Sequence, residues 1–213
     1  MPFEINEDIV RVTCSIPEMR RLHDLSKRRL YLYGSITDIE AEEGLIVCAS
    51  KTGELIEQIL DFNREDYGKS PESREPVKLF INSPGGDLNE GFALIDAIML
   101  SKTPIYTINI GQWSSMSFLI GISGHKRLSL PHATFLLHDG FSGALGTTNK
   151  VQDRVKFEER FENEVVKNHV LKHSNMKSVD YDALARVEYY LLPTDALERG
   201  FIDEIITDID AIL

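Results

Sequence analysis

Cysteine is scarce in this chain: only Cys14 and Cys48 occur among 213 residues. Two thiols placed where a strand and a helix are expected do not make a disulfide framework, which favours a reducing compartment. Apolar runs long enough to span a bilayer are missing, and the first residues lack the basic stretch and apolar core of a secretion signal. A soluble, cytoplasmic protein with no membrane partner is expected. Cations are also in short supply, 23 Lys and Arg against 34 Asp and Glu for a net charge of −11. Binding nucleic acid requires clustered Lys and Arg to displace condensed counterions, so nucleic acid is not an expected partner. The one basic cluster, Arg20, Arg21, Lys27, Arg28 and Arg29, is broken by apolar residues and reads as the solvated face of a helix.

Nucleotide and metal signatures are missing too. No G-x-x-x-x-G-K-[ST] string occurs, so ATP hydrolysis is not expected, and Gly140, Gly143 and Gly146 do not have the spacing of a dinucleotide loop. They suit a flexible loop flanking a substrate. His169 and His173 lie four apart but outside any H-E-x-x-H arrangement, and read as surface residues. The expectation is a protein with neither metal nor organic cofactor.

What is present suffices for one sizeable core: 42% of the residues are hydrophobic and no low-complexity linker divides the chain. Residues 1–29 read as an N-terminal segment, with an alternating strand or hairpin over Ile9 to Ile16 and helical spacing over Glu18 to Arg29. A single domain over 30–213 opens with a strand at Leu30 to Tyr33. Thr37 and Glu40 form a capping box expected to start a helix that carries Leu45, Cys48, Ala49, Ile56 and Ile59 on one face. That helix should end before Tyr67, ahead of a polar surface loop from Gly68 to Pro76. Strands then alternate with helices: strand Val77 to Asn82, helix Leu88 to Leu100, strand Ile105 to Ile110, helix Ser115 to Ile122, strand Thr134 to His138. Thr147 to His173 reads as helix, Val179 to Arg186 as a shorter one, and Ile202 to Thr207 as the last strand. Right-handed crossovers make this an α/β fold with a largely parallel sheet.

Two turns in the alternation share a design. Ser83-Pro84-Gly85-Gly86 and Gly111-Gln112-Trp113-Ser114-Ser115-Met116 each leave a strand through small residues and enter a helix, bringing backbone N–H groups to where negative charge could develop. Ser115 projects over the C-terminal edge of the sheet as in a nucleophile elbow, although Gly-x-Ser-x-Gly is absent. A plain helix cap is the other reading, and the commoner role of a serine in such a place. His138 closes the apolar strand Phe135-Leu136-Leu137, where an imidazole is costly to bury without partners, and faces the same crevice. Its alternative is a structural histidine bonded to backbone. A serine, a histidine and two amide donors together suit acyl transfer.

The strings Ile81-Asn82-Ser83-Pro84-Gly85-Gly86, Gly111-Gln112 with Ser115-Met116, and Leu130-Pro131-His132 followed by Leu137-His138 resemble, in order and spacing, the Clp protease proteolytic subunit family. The resemblance covers roughly Leu30 to Thr207. It implies a crotonase/ClpP-like fold of repeated β-α-β units with a protruding strand-helix handle at about 139–173. It implies a serine endopeptidase with Ser115 as nucleophile, His138 as base, and the Gly86 and Met116 amides as oxyanion hole. Ungapped alignment back from Ala196, Glu198 and Gly200 places Glu188 where the family has its triad aspartate; Asp180 and Asp182 are fallbacks, and Asp139 should point away from His138. Self-assembly follows from the same resemblance: a heptameric ring, stacked in pairs, enclosing a chamber that receives unfolded polypeptides from a separate Clp-type ATPase.

Several positions depart from the family pattern. Trp113 and Ser114 replace two small residues and Ser117 replaces a glycine, which is expected to reshape the specificity pocket. Lys150 and Val187 stand where an acid and an arginine pair across the ring junction, so stacking is expected to change. Gly68 to Pro76 is longer than usual. Lys78 replaces an aromatic of the ATPase docking cleft, in which Phe80 keeps a neighbouring aromatic. Two rival readings accompany the peptidase: a catalytically impaired subunit of a mixed ring, and a crotonase-type acyl-CoA enzyme.

Overall fold

The computed structural model describes residues 16–37, 40–42, 45–47, 51–140, 142–184 and 187–213. Cys14, Cys48 and the expected strand over 9–16 fall outside them, except for Ile16, which opens the first helix, α1 (Ile16–Ser26). Strand β1 (Arg29–Tyr33) follows. The helix expected from Thr37 does not form. Instead β2 (Glu40–Glu42) and β3 (Leu45–Val47) pair antiparallel, and helix α2 begins only at Lys51, running to Glu65. Gly44 and the β-branched Ile46 and Val47 disfavour helix and outweigh the capping signal. Once started, α2 buries Leu55, Ile59 and Phe62 at the spacing that amphipathic helices use.

The central alternation forms in the expected order, but the strand from Ile105 runs on through Gly111 to Ser114, where a turn is expected, because Gln112 to Ser114 pair with a further strand. The helix after it begins at Met116 and not Ser115. Strand β4 (Val77–Ser83) leads through the glycine turn to helix α3 (Leu88–Leu100), then strand β5 (Ile105–Ser114) and the short helix α4 (Met116–Gly121). Asp87 starts α3 by accepting the N–H groups of Asn89 and Glu90 at 2.8 and 3.0 Å. Beyond α4 come β6 (Lys126–Ser129) and β7 (Thr134–Leu137). The long helical run is α5 (Thr148–Phe161), a π turn at Glu162–Val166, and α6 (Lys167–Lys172). Helix α7 (Ser178–Leu184), strand β8 (Tyr189–Leu191), helix α8 (Pro193–Glu198) and strand β9 (Glu204–Ile205) complete the order.

The main sheet runs β1-β4-β5-β6-β9, all parallel along that path. Strand β5 serves two neighbours: Tyr106 to Asn109 pair with β6, and Gln112 to Ser114 pair with β7. Strand β7 pairs antiparallel with β8. The main core, which includes the fully buried Trp113, Phe118, Phe135 and Phe201, also takes in Leu94, Ile95 and Ile98 of α3. A smaller cluster of Phe80, Ile108, Leu128, Ile206 and Ile212 forms separately.

Trp113 therefore belongs to the core and not to an open pocket. Its ring meets Phe135 edge-on at 5.5 Å and lies so close to α4 that a Cβ on Gly121 would fall 2.3 Å from the indole. The Lys78 ammonium bonds the Leu213 carbonyl, and Phe80 stacks on Tyr31 with centroids 5.2 Å apart. Among the described residues no helix is long and apolar enough to cross a membrane.

Candidate active site

Ser115 follows the last residue of β5 with φ 55° and ψ −126°. A non-glycine residue held there costs roughly 1–3 kcal/mol, and such strain persists only where the surroundings enforce it. Here they do: the Ser115 N–H donates to the Leu136 carbonyl at 2.9 Å, anchoring the turn to β7. The side chain makes no capping bond to α4, so capping does not explain the residue. Met116 is the first helical residue, and its N–H has no intrahelical acceptor.

The other turn approaches from β4. A Cβ on Gly85 would lie 2.7 Å from Ser115 Cβ and 2.9 Å from the Met116 nitrogen, so only glycine lets the two turns touch. Gly86 has φ 150°, and a Cβ there would fall 2.0 Å from the Ile36 carbonyl oxygen. Ile36 bonds the residues on either side, accepting from Asp87 N–H and donating to Gly85 C=O, both at 2.9 Å. In a parallel bridge this pattern turns the Gly86 N–H away from Ile36. Ser117 joins the turns from beneath: its hydroxyl donates to the Ser83 carbonyl at 2.6 Å and accepts the Ser114 N–H at 2.8 Å.

His138 comes directly after β7. The register Ser114↔Leu136 carries Ser115 alongside Leu137, next to the histidine. Its Nε2 is buried and, among the described residues, has no hydrogen-bond partner. An imidazole nitrogen so placed is expensive unless a partner arrives during function.

The acid is arranged differently from the base. Glu188 is exposed and accepts the Tyr190 hydroxyl at 2.6 Å. Its place just before β8 is nevertheless informative: β7 and β8 pair as Phe135↔Leu191, Leu136↔Tyr190 and Leu137↔Tyr189, and the same register carried one step past the ladder brings Glu188 opposite His138. Directly opposed residues carry Cβ atoms about 4.5–5.5 Å apart. Asp182 is held by Lys167 at 2.6 Å, and Asp139 is exposed. None of these carboxylates hydrogen-bonds His138 among the described residues.

His169 and His173 are not the surface residues their helix spacing suggests. His169 is 8% exposed, and its Nε2 lies 3.1 Å from both Ser123 Oγ and the Leu119 carbonyl. The two rings sit 4.6 Å apart, and His173 Nε2 is buried without a partner among the described residues. Tertiary packing of α6 against α4 explains what local spacing could not. Burial, with His169, Lys172 and Arg127 nearby, pushes the His173 imidazole down to about 4. A histidine that protonates less readily when folded contributes stability in full above its unfolded value near about 6.5. That contribution is lost as pH falls from there towards about 4. The expected result is a thermal midpoint that drops across this interval, with a smaller drop in His173→Gln, measured by scanning fluorimetry in a buffer series.

Among the described residues no three His, Cys, Asp or Glu side chains converge as a ligand set. What the geometry offers is a strained serine, a histidine beside it, and two glycine-enabled turns that present amides.

Comparison with known proteins identifies the family. The chain is 31% identical over 156 residues to the ATP-dependent Clp protease proteolytic subunit of Dehalococcoides mccartyi strain BAV1, spanning 71% of this chain and 74% of the relative. It is 29% identical over 157 residues to the ATP-dependent Clp protease proteolytic subunit of Streptococcus gordonii, spanning 72% and 77%. The Clp protease family pattern matches residues 47–208, a span that holds both turns, His138 and Glu188, and the chain belongs to the Clp protease family.

Proposed function

We propose that this Clp-family peptidase is a serine endopeptidase in which Ser115 attacks the peptide carbonyl, His138 moves the proton, Glu188 orients the imidazole, and the Gly86 and Met116 amides hold the oxyanion. As the Ser115 Oγ–C bond forms, the hydroxyl proton passes to His138 Nε2. Collapse of the tetrahedral intermediate breaks the C–N bond, and the same proton goes to the leaving amine. Water, deprotonated in turn by His138, then releases the acyl group and restores the serine. Protein groups and water suffice for these steps.

The observation that carries the reading is the backbone of Ser115: positive φ at a strand-to-helix junction, no capping bond, and Gly85 packed against it. A capping serine needs neither the strain nor that contact. Labelling with a fluorophosphonate tests the reading directly. One adduct on Ser115 is expected, and a chain left unmodified under conditions that label an active serine peptidase sinks it.

Glu188 is the proposed triad acid because the β7–β8 register, carried one step past the ladder, brings it opposite His138. Glu188→Gln should reduce peptide turnover about 10²-fold, less than the roughly 10⁴-fold cost of losing a buried triad aspartate. Size-exclusion chromatography should show assembly unchanged. Unaltered turnover would move the role to Asp180, Asp182 or water.

The larger context follows the relatives, whose name makes them the proteolytic subunit of an ATP-dependent protease. The chain is proposed to form a seven-membered ring in the cytoplasm, single or stacked, with the handle at about 139–173. Unfolded polypeptides would enter from a Clp-type ATPase. Val187, at a position expected to face the second ring, is 53% exposed.

A second reading, a catalytically impaired subunit of a mixed ring, draws support from the Tyr190 hydroxyl that holds Glu188 at 2.6 Å. It predicts no fluorophosphonate adduct. The family match favours peptidase chemistry over an acyl-CoA enzyme, which would turn over thioesters regardless of Ser115.

A further inference from the structure

Strands β4 and β5 run in step from Val77↔Ile105 to Ile81↔Asn109, and then the register shifts so that Ser83 faces Trp113. Two steps on β4 thus match four on β5, and the ladder is interrupted where both site turns begin. Backbone groups at such a break lose their strand partners and need others if they are buried. Ser115 N–H points to β7, where it bonds Leu136, so the preceding N–H of Ser114 points to the β4 side. Both that N–H and the Ser83 carbonyl are taken up by a single group, the Ser117 hydroxyl, which is fully buried. The same oxygen lies 2.9 Å from the Ser114 carbonyl. Ser83 also holds its own turn, its hydroxyl accepting the Gly85 N–H at 3.1 Å.

Resting on the reading of Ser115 as nucleophile, we infer that Ser117 is a positioning residue for peptide hydrolysis: its hydroxyl ties the Gly86 turn to the Met116 turn and sets the spacing of the two oxyanion amides. It touches neither substrate nor reacting atoms. Its influence passes through Ser83 on one side and Ser114 on the other. Amide donors stabilise a developing oxyanion only when held at hydrogen-bond distance from where the charge will sit, and small displacements are costly in rate. Loss of the tie should therefore reduce the rate of the chemical step and leave ground-state binding of the peptide largely intact.

The test compares hydrolysis of a fluorogenic peptide by the parent, Ser117→Ala and Ser117→Cys, with thermal midpoints recorded alongside. Ser117→Ala should lose about tenfold in kcat with KM within about twofold, and Ser117→Cys, similar in size but a weak donor, should fall between. Should the alanine variant fail to fold, the cysteine variant reads the same quantity. An active parent with both variants within about twofold of its kcat overturns this inference and leaves the reading of Ser115 standing. So does a lowered thermal midpoint with unchanged kcat, which marks a purely structural hydroxyl. A parent that neither hydrolyses peptide nor takes up fluorophosphonate overturns the reading of Ser115, and this inference with it.

Discussion

Replacing Ser115 with alanine is expected to lower peptide turnover by about five to six orders of magnitude, the scale seen when a triad serine is removed. The expectation is this large because neither neighbouring serine is placed to take over the covalent step. Ser114 is mostly buried and donates to Gln112 Oε1 at 3.3 Å, and the Ser117 hydroxyl is already committed to Ser83. A residual rate about 10³–10⁴-fold above water should survive, since the Gly86 and Met116 amides and the binding surface remain. Ser115→Ala keeps its Cβ and hence the strain at φ 55°, so thermal stability should hardly change. Ser115→Gly separates the two roles of the residue. It should be as inactive as the alanine variant yet more stable by about 1 kcal/mol or more, because glycine adopts this conformation without penalty. Peptide assays and thermal melts on the three proteins decide the matter. Turnover of Ser115→Ala within tenfold of the parent would exclude Ser115 as nucleophile.

The parts of the fold that periodicity reveals are those whose burial is set by neighbours along the chain. Helix α3 spans Leu88–Leu100 as its apolar spacing implies, and β4, β5 and β7 lie where their apolar runs end in small residues or a histidine. Strand β6, Lys126–Ser129, escapes such a reading because two of its four residues are cationic. Arg127 earns its place through Asp203, far along the chain, which accepts from it at 2.5 Å. Strand β8 is too short to show a period, yet its register with β7, carried one step past the ladder, brings Glu188 opposite His138.

The site divides in the same way. Gly85, Gly86 and Ser115 sit in turns whose residue types announce unusual backbone, and His138 ends a run in which an imidazole stands out. Ser117 stands out only as a replacement for the family's glycine, which suggests a pocket role, whereas it is fully buried and bonded to backbone. Its bonds reach Ser83, a partner 34 residues away, and depend on a register shift that no local pattern encodes. Trp113 and His169 show the opposite case, in which residue type suggests a pocket or a surface and tertiary packing buries both. Periodicity reports which face of an element is apolar; it does not report which element covers that face.

Asp66→Asn is expected to destabilise the fold by about 3–5 kcal/mol, the cost of leaving one member of a buried ion pair without its counter-charge. Asp66 is completely buried and binds the Arg28 guanidinium in two places, at 2.7 and 2.8 Å, while also accepting from Thr103 Oγ1 at 2.9 Å and Lys69 Nζ at 2.7 Å. Arg28 is itself buried, lies over the Phe62 ring, and adopts φ 51°, a conformation that these bonds must hold. The pair fastens the junction of α1 and β1 to the end of α2, which makes its loss global in effect. For a chain of this size the thermal midpoint should fall by about 6–20 °C. The double variant Arg28→Met with Asp66→Leu should be less destabilised than either single charge removal, because no buried charge is left unpaired and Lys69 and Glu65, which lose a partner, reach solvent. The Arg28 bonds hold the Asp66 carboxyl well below the usual carboxylate range. Its contribution is thus full above the unfolded carboxyl value of about 3.9 and drains away as pH falls below it. That window lies under the one set by His173, so acid titration of the parent should show two successive losses of stability, the lower of which is smaller in Asp66→Asn, where Asp203 beside Arg127 still contributes. Urea midpoints measured across the series test both points, and a parent and Asp66→Asn that unfold at the same midpoint at neutral pH would show that the pair does not hold the fold.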